Sequence, residues 1–169
     1  ALPISGIPTG FRDLNRITAG WQQGELIVLA ARPAVGKTAF ALQLARAAGI
    51  AGFHTMVFSL EMQGERLGDR WLLAAAPTVD ATHLSNGQLN PTEIRELNEA
   101  ASELARLKIQ VNDDPGMSME RIRTIARMKQ SKGQCDLIIA DYLQLCDMRT
   151  DQKNRNREQE VAQATRRAK

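Results

Sequence analysis

The segment Ala31-Arg32-Pro33-Ala34-Val35-Gly36-Lys37-Thr38 carries the residue types that hold a polyphosphate. It departs from the pattern G-x-x-x-x-G-K-[ST] at one position, where Ala31 stands in place of the first glycine. Gly36 lets the backbone approach an anion closely, and successive N–H groups at a helix start point toward it. Lys37 brings a point charge to the β- and γ-phosphates, and the Thr38 hydroxyl can ligate Mg²⁺. Arg32, Pro33, Ala34, Val35, Gly36, Lys37, Thr38 and Ala39 are therefore the candidate nucleotide contacts.

Such a loop also needs an acid at the end of a neighbouring strand. Asp141 closes the apolar run Leu137–Ala140 and is placed to hold the metal through its water shell. Glu61 closes a second apolar run, just past Ser59 and Leu60. In a parallel sheet both carboxylates emerge at the carboxyl edge, where ligands bind. One acid at the metal and a second that polarises a water make a hydrolase. The other reading of Glu61 is an acid favouring the dipole of a helix that begins at Met62. Spacing leaves these two readings open.

The elements that must position these residues alternate between short apolar runs and amphipathic segments, the pattern of a parallel α/β sheet. Leu26–Ala30 reads as a strand buried on both faces, leading into the loop. Thr38–Ala48 reads as the following helix, ended by Gly49 at C′. Thr55–Leu60 is a second strand, and Met62–Ala75 a helix stopped before Pro77. Asn90-Pro91-Thr92-Glu93 has the form of a helix N-cap, with the helix running to about Leu107. Ile109–Val111 is a weak strand, Asn112–Gly116 is turn chemistry, and Ser118 caps a helix that ends near Gly133. Leu137–Ala140 is the clearest strand, and a last helix is expected from about Glu158. An α/β sheet more often closes with further strands, so the expectation is one domain over residues 1–169, incomplete at its C-terminal end.

Composition narrows the class. The chain has 169 residues, 43% hydrophobic and 24% charged, which is enough to close a core and unlike collagen, disordered or disulfide-scaffold sequences. No apolar stretch reaches the roughly 20 residues of a membrane span, and the first ten residues lack a signal-peptide pattern. Cys135 and Cys146 match no metal or disulfide framework, so a reducing, cytoplasmic setting is expected. His54 and His83 lack a partner pattern, and Trp21 and Trp71 read as core or rim residues. Residues 1–148 hold fifteen basic and sixteen acidic residues, whereas 149–169 hold seven and three. That basic excess is either a solvated face or a surface that meets phosphates.

Several runs carry a resemblance: Ile7–Leu14, Ala30–Thr38, Phe58-Ser59-Leu60-Glu61-Met62, Ile139-Ala140-Asp141-Tyr142-Leu143-Gln144-Leu145 and Asn156–Val161. In order and spacing they resemble the RecA-like C-terminal motor domain of DnaB-type replicative helicases, over nearly the whole chain. In that family the first glycine of the loop is commonly absent, as it is here. The resemblance implies an α/β P-loop NTPase, with ATP and Mg²⁺ as cofactors. It implies that Lys37 and Thr38 serve phosphates and metal, Asp141 the metal, and Glu61 the attacking water. Gln144 would sense the γ-phosphate. It further implies a homohexamer around single-stranded DNA, an arginine finger in trans from beyond Lys169, and primase and a helicase loader as partners. The family's N-terminal domain has no counterpart in these residues. Arg149, Lys153, Arg155 and Arg157 would then contact the DNA backbone, without aromatic residues to stack on bases.

Other readings of the same residues are a different RecA-like ATPase, either a recombinase or a clock-type hexamer, or a nucleotide-gated assembly module. A small-molecule kinase fits less well, since no arginine-rich lid segment is evident.

Overall fold

The structure, a computed structural model, describes residues 4–32 and 34–141. Its elements run α1 (Arg12–Thr18), α2 (Lys37–Ile50), β1 (Thr55–Ser59), α3 (Gly64–Ala75), α4 (Ala81–Asn86), α5 (Pro91–Leu104), β2 (Ile109–Asn112), α6 (Met119–Gln130) and β3 (Leu137–Asp141). The strands form a parallel sheet in the order β2-β1-β3. β1 lies in the middle and is buried at every position, as a parallel strand covered on both faces must be.

Alternation along β1 divides the core. Met56 and Phe58 pack with Ile122, Ala126 and Met119, so α6 covers one face. Val57 packs with Leu42, Ala45, Leu67 and Trp71, so α2 and α3 cover the other. The Trp71 indole N–H donates to the Leu42 carbonyl at 2.9 Å, which satisfies a buried donor and ties α3 to α2. A satellite cluster of Ala76, Val79, Leu97 and Ala100 joins α4 and α5 to the end of α3.

Local chemistry sets the helix starts. The Asn90 side chain accepts from the Thr92 and Glu93 N–H groups, and Glu93 reaches back to the Asn90 N–H, a complete capping box with Pro91 in the first turn. Ser118 accepts from the Arg121 N–H and caps α6.

Two readings of the sequence are corrected. Leu26–Ala30 forms no strand: Ile27, Val28 and Leu29 are exposed, and the segment joins no ladder among the described residues. Apolar continuity states what a strand would bury, but a strand exists only through its non-local partner. Gly49 is not a terminator, because α2 continues through it to Ile50. A Cβ there would stand 3.1 Å from the Ile109 side chain and 3.2 Å from Leu107 Cβ, so its lack of a side chain serves close packing on the chain entering β2.

Two short helices had no counterpart in the sequence reading. α4 is capped by Asp80, whose side chain accepts from the Thr82 N–H. α1 follows a knot around Thr9, which is fully buried and whose hydroxyl donates to Asn15 Oδ1 at 2.7 Å. Gly10 in this knot has φ +82°, and a Cβ on it would lie 2.6 Å from Ala47 Cβ, so the N-terminal segment sits directly on α2. Phe11 stacks on Phe40 with ring centroids 4.9 Å apart, continuing the same contact.

Candidate active site

The carboxyl ends of β1 and β3 meet in register, with Ser59 opposite Asp141. One more rung follows, from the Leu60 N–H to the Asp141 carbonyl at 2.8 Å. The start of α2 arrives at the same edge. Its N-cap, Gly36, has φ 100°, and Ala34 in the loop has φ 64°. Gly36 takes that conformation without steric cost, whereas for Ala34 it is a strained one. Among the described residues no side chain caps α2 and no acid lies in its first turn, so the dipole at its start favours an anion.

The first two residues of α2 converge on Asp141. Lys37 Nζ lies 2.8 Å from Asp141 Oδ1, and the Thr38 hydroxyl donates to Asp141 Oδ2 at 2.6 Å. The Lys37 side chain is 28% exposed and that of Asp141 13%, so the pair is partly withdrawn from water. A hydroxyl and a carboxylate side by side are hard oxygen donors of the kind Mg²⁺ accepts. Among the described residues no group of three His, Cys, Asp or Glu side chains could hold an ion unaided. That pattern suits a cation held by one or two protein oxygens, water and a substrate's phosphates.

Glu61 lies in the bend just past β1 and is exposed. The bend is fixed by Ser59, whose hydroxyl donates to the Met62 carbonyl at 2.6 Å and accepts from the Met62 N–H at 3.3 Å. α3 begins only at Gly64, with Gln63 as N-cap and Glu65 as its first-turn acid. The dipole role open to Glu61 in the sequence thus belongs to Glu65. Ser59 carries no catalytic signature in the sequence, although a serine two residues before the acid at a strand end is turn chemistry. Asp113, within the turn after β2, accepts from the Gly64 N–H at 2.7 Å and anchors the start of α3.

Arg32, Val35, Gly36 and Ala39 are exposed around the loop. Pro33, Gln144, Arg149, Lys153, Arg155 and Arg157 lie outside the described residues.

The two histidines have partners. His54 Nδ1 lies 3.3 Å from Asp136 Oδ2, which also accepts from the His54 N–H at 2.7 Å. His83 Nδ1 lies 2.9 Å from Glu93 Oε1, locking α4 to the start of α5. The hydrogen bond to Glu93 raises the His83 pKa above its ordinary value. Glu93 is held below the usual carboxylate value, first by the Asn90 N–H and then by His83. Both pairs are structural and stand apart from the Lys37–Asp141 cluster.

Comparison with known proteins places these features in a family. The profile described as DnaB-like helicase C terminal domain matches residues 6–169. The Replicative DNA helicase DnaB of Geobacillus stearothermophilus is 38% identical over 164 residues, covering 96% of this chain and 36% of the relative. The Replicative DNA helicase DnaC of Bacillus subtilis is 40% identical over 167 residues, covering 98% and 36%. The chain thus spans about a third of the length of these relatives. Among solved structures, a DnaB-like replicative helicase described with its interactions with primase superposes with a TM-score of 0.87 at 28% identity, covering 98% of this chain and 40% of that one. A second solved structure, described as an ATPase domain, gives 0.86 at 28% identity, covering 98% and 58%. Agreement of this kind gives the chain the RecA-like α/β fold of those domains.

Proposed function

The chain belongs to the DnaB-like helicase C-terminal domain family, and from that premise we propose that it is the motor domain of a replicative DNA helicase, hydrolysing Mg-ATP to move along single-stranded DNA. The observation that carries the reading is the convergence of Lys37 and Thr38 on Asp141 at the carboxyl edge of the sheet.

In this proposal the loop from Arg32 to Ala39 wraps the triphosphate, its N–H groups and the start of α2 facing the anion. Lys37 leaves Asp141 for the β- and γ-phosphates, exchanging one anionic partner for another. The Thr38 hydroxyl and, through water, Asp141 would hold Mg²⁺, which would supply charge neutralisation at the phosphates. Glu61 orients a water toward the γ-phosphorus and receives its proton, and its exposure leaves it open to solvent. Gln144 reports the γ-phosphate, and Arg149, Lys153, Arg155 and Arg157 meet the DNA backbone. The full protein would act as a homohexamer with an arginine supplied in trans, in the cell interior, with primase and a loader as partners. No helix among the described residues is long and apolar enough to cross a membrane.

The test is ATP turnover by the protein with and without single-stranded DNA. Stimulation by DNA that is lost in Glu61→Gln, while Mg-ATP still binds, supports the motor. Turnover indifferent to DNA points to a clock-type ATPase. Turnover unchanged in Glu61→Gln removes Glu61 from the chemistry.

A further inference from the structure

The bend that carries Glu61 leaves the middle strand of the sheet, so neighbours on both sides can tie it. On one side is β3, where the Asp141 carbonyl accepts from the Leu60 N–H at 2.8 Å. On the other is β2, paired with β1 as far as Asn112 opposite Phe58. There Asp113, the residue just past β2, accepts through Oδ2 from the Gly64 N–H at 2.7 Å. Glu61 therefore stands between two ties, at Leu60 and Gly64, with Ser59 and Met62 closing the bend.

A helix start can be satisfied more simply than this. A Ser, Thr, Asp or Asn at the N-cap accepts from the first-turn N–H groups on its own. α3 has Gln63 at that position, and Gln63 makes no side-chain cap. The acceptor comes instead from 49 residues along the chain. A local cap would stabilise α3 wherever it lay, whereas an acceptor beside the neighbouring strand also fixes where α3 begins. Gly64 permits the approach. A Cβ on it would lie 3.3 Å from Asp113 Oδ2 and 3.6 Å from Val111 Cγ1.

The anchor is itself held. Asn112 Oδ1 accepts from the Asp114 N–H at 3.1 Å, and Asp114 Oδ1 accepts from the Gly116 N–H at 2.9 Å. Asp114 Oδ2 lies 3.1 Å from Arg121 Nη1, in the first turn of α6. Asp113 thus sits on a turn fastened to both β2 and α6. We propose that Asp113 is a positioning residue for ATP hydrolysis, holding the bend through Gly64 so that Glu61 meets the attacking water. The proposal rests on the reading of Glu61 given above. A base acts only within hydrogen-bond reach of its proton, and a misplacement of about 1 Å can cost roughly a hundredfold in rate.

The test is single-turnover hydrolysis of Mg-ATP by the protein at saturating concentration with single-stranded DNA, which reads the chemical step apart from product release. Asp113→Ala should slow hydrolysis about tenfold and leave Mg-ATP affinity at the parent's value. Asp113→Asn keeps an oxygen for the Gly64 N–H and should retain most of the rate. Gly64→Pro removes the donor instead, at a first-turn position that tolerates proline and after a Gln63 already extended at ψ 145°. It should slow hydrolysis as Asp113→Ala does, and the two together should do no more than either. In a Glu61→Gln background Asp113→Ala should have no further effect, since the group it places is gone. Thermal unfolding should stay near the parent's because Asp113 is exposed, and if Asp113→Ala does not fold, Gly64→Pro decides. A parent-like rate in the variant that tests the contact, with Glu61→Gln slow, overturns the proposal and leaves the role of Glu61 standing. Equal losses in Asp113→Asn and Asp113→Ala would make the effect one of charge and reject positioning. A loss in affinity, or one that adds to that of Glu61→Gln, would make Asp113 merely structural and also reject it. A Glu61→Gln protein as fast as the parent overturns the reading of Glu61 itself.

Discussion

The Thr38 hydroxyl donates to Asp141 Oδ2 across 103 residues of chain, at 2.6 Å. The contact joins the first turn of α2 to the end of β3 and makes one site from two distant motifs. Lys37 takes the other oxygen of the same carboxylate, so each Asp141 oxygen already has a partner before any ligand arrives.

Asp141→Asn should therefore separate metal-dependent from metal-free binding. Mg-ATP affinity should fall about tenfold, the scale of a charge-assisted contact. Affinity for ATP in excess chelator should stay level or rise, because Lys37 no longer has to leave a carboxylate. Calorimetry with and without Mg²⁺ reads the difference, and an equal loss in both would remove Asp141 from the metal's surroundings.

Lys37→Ala should weaken Mg-ATP binding by roughly ten- to a hundredfold, the loss of a charged hydrogen-bonding partner. Its fold should persist, since Lys37 lies in the first turn of α2 and is partly exposed. Equal binding by variant and parent would end the phosphate-loop assignment.

Gly10→Ala should cost about 1–3 kcal/mol, from strain at φ +82° and from collision with Ala47. Combining it with Ala47→Gly should restore the part due to collision and leave the backbone strain. Urea unfolding of both variants measures the split. Full recovery in the pair would mean the positive φ carries no cost.

The His83–Glu93 contact gives stability a defined pH window. His83 has its pKa raised above 6.5, so its contribution is complete below that value and lost as pH rises through the folded pKa. Glu93 has its pKa lowered from 4.5, so its contribution is present above that value and lost as pH falls through the folded pKa. The stability gap between parent and His83→Gln should be widest between these two values and close as pH rises well past the folded pKa of His83. A gap independent of pH would show that the contact does not depend on the imidazolium.

Much of this was legible in the sequence, for physical reasons that differ by residue. The capping box at Asn90 and the cap at Ser118 are local, written within four residues, and the structure contains both. Asp141 and Glu61 could be placed at one sheet edge because parallel strands share a direction. What the sequence withheld was non-local. Gly49 looked like a stop until Ile109 and Leu107 were seen against it. Leu26–Ala30 looked like a strand because its composition names no partner. α1 buries none of its residues and α4 spans six, too little for a helical period to show. The Lys37–Asp141 contact itself was outside local reach, although each residue's chemistry was visible.

The rung from the Leu60 N–H to the Asp141 carbonyl has a mechanical meaning. It clamps the two strand tips to each other beyond the last paired residues, like a crossbar at the end of a pair of rails. A pull on either tip is resisted by the other, and the chain just before Glu61 shares the stiffness of the sheet. Among the described residues the phosphate loop is tied to that edge only through side chains, those of Lys37 and Thr38. Gly36 stands at the mouth of α2 with open space where a side chain would be. Adjustment to an arriving guest therefore falls on the loop, while the tip of β1 and the Asp141 backbone keep their spacing, a fixed jaw facing a movable one.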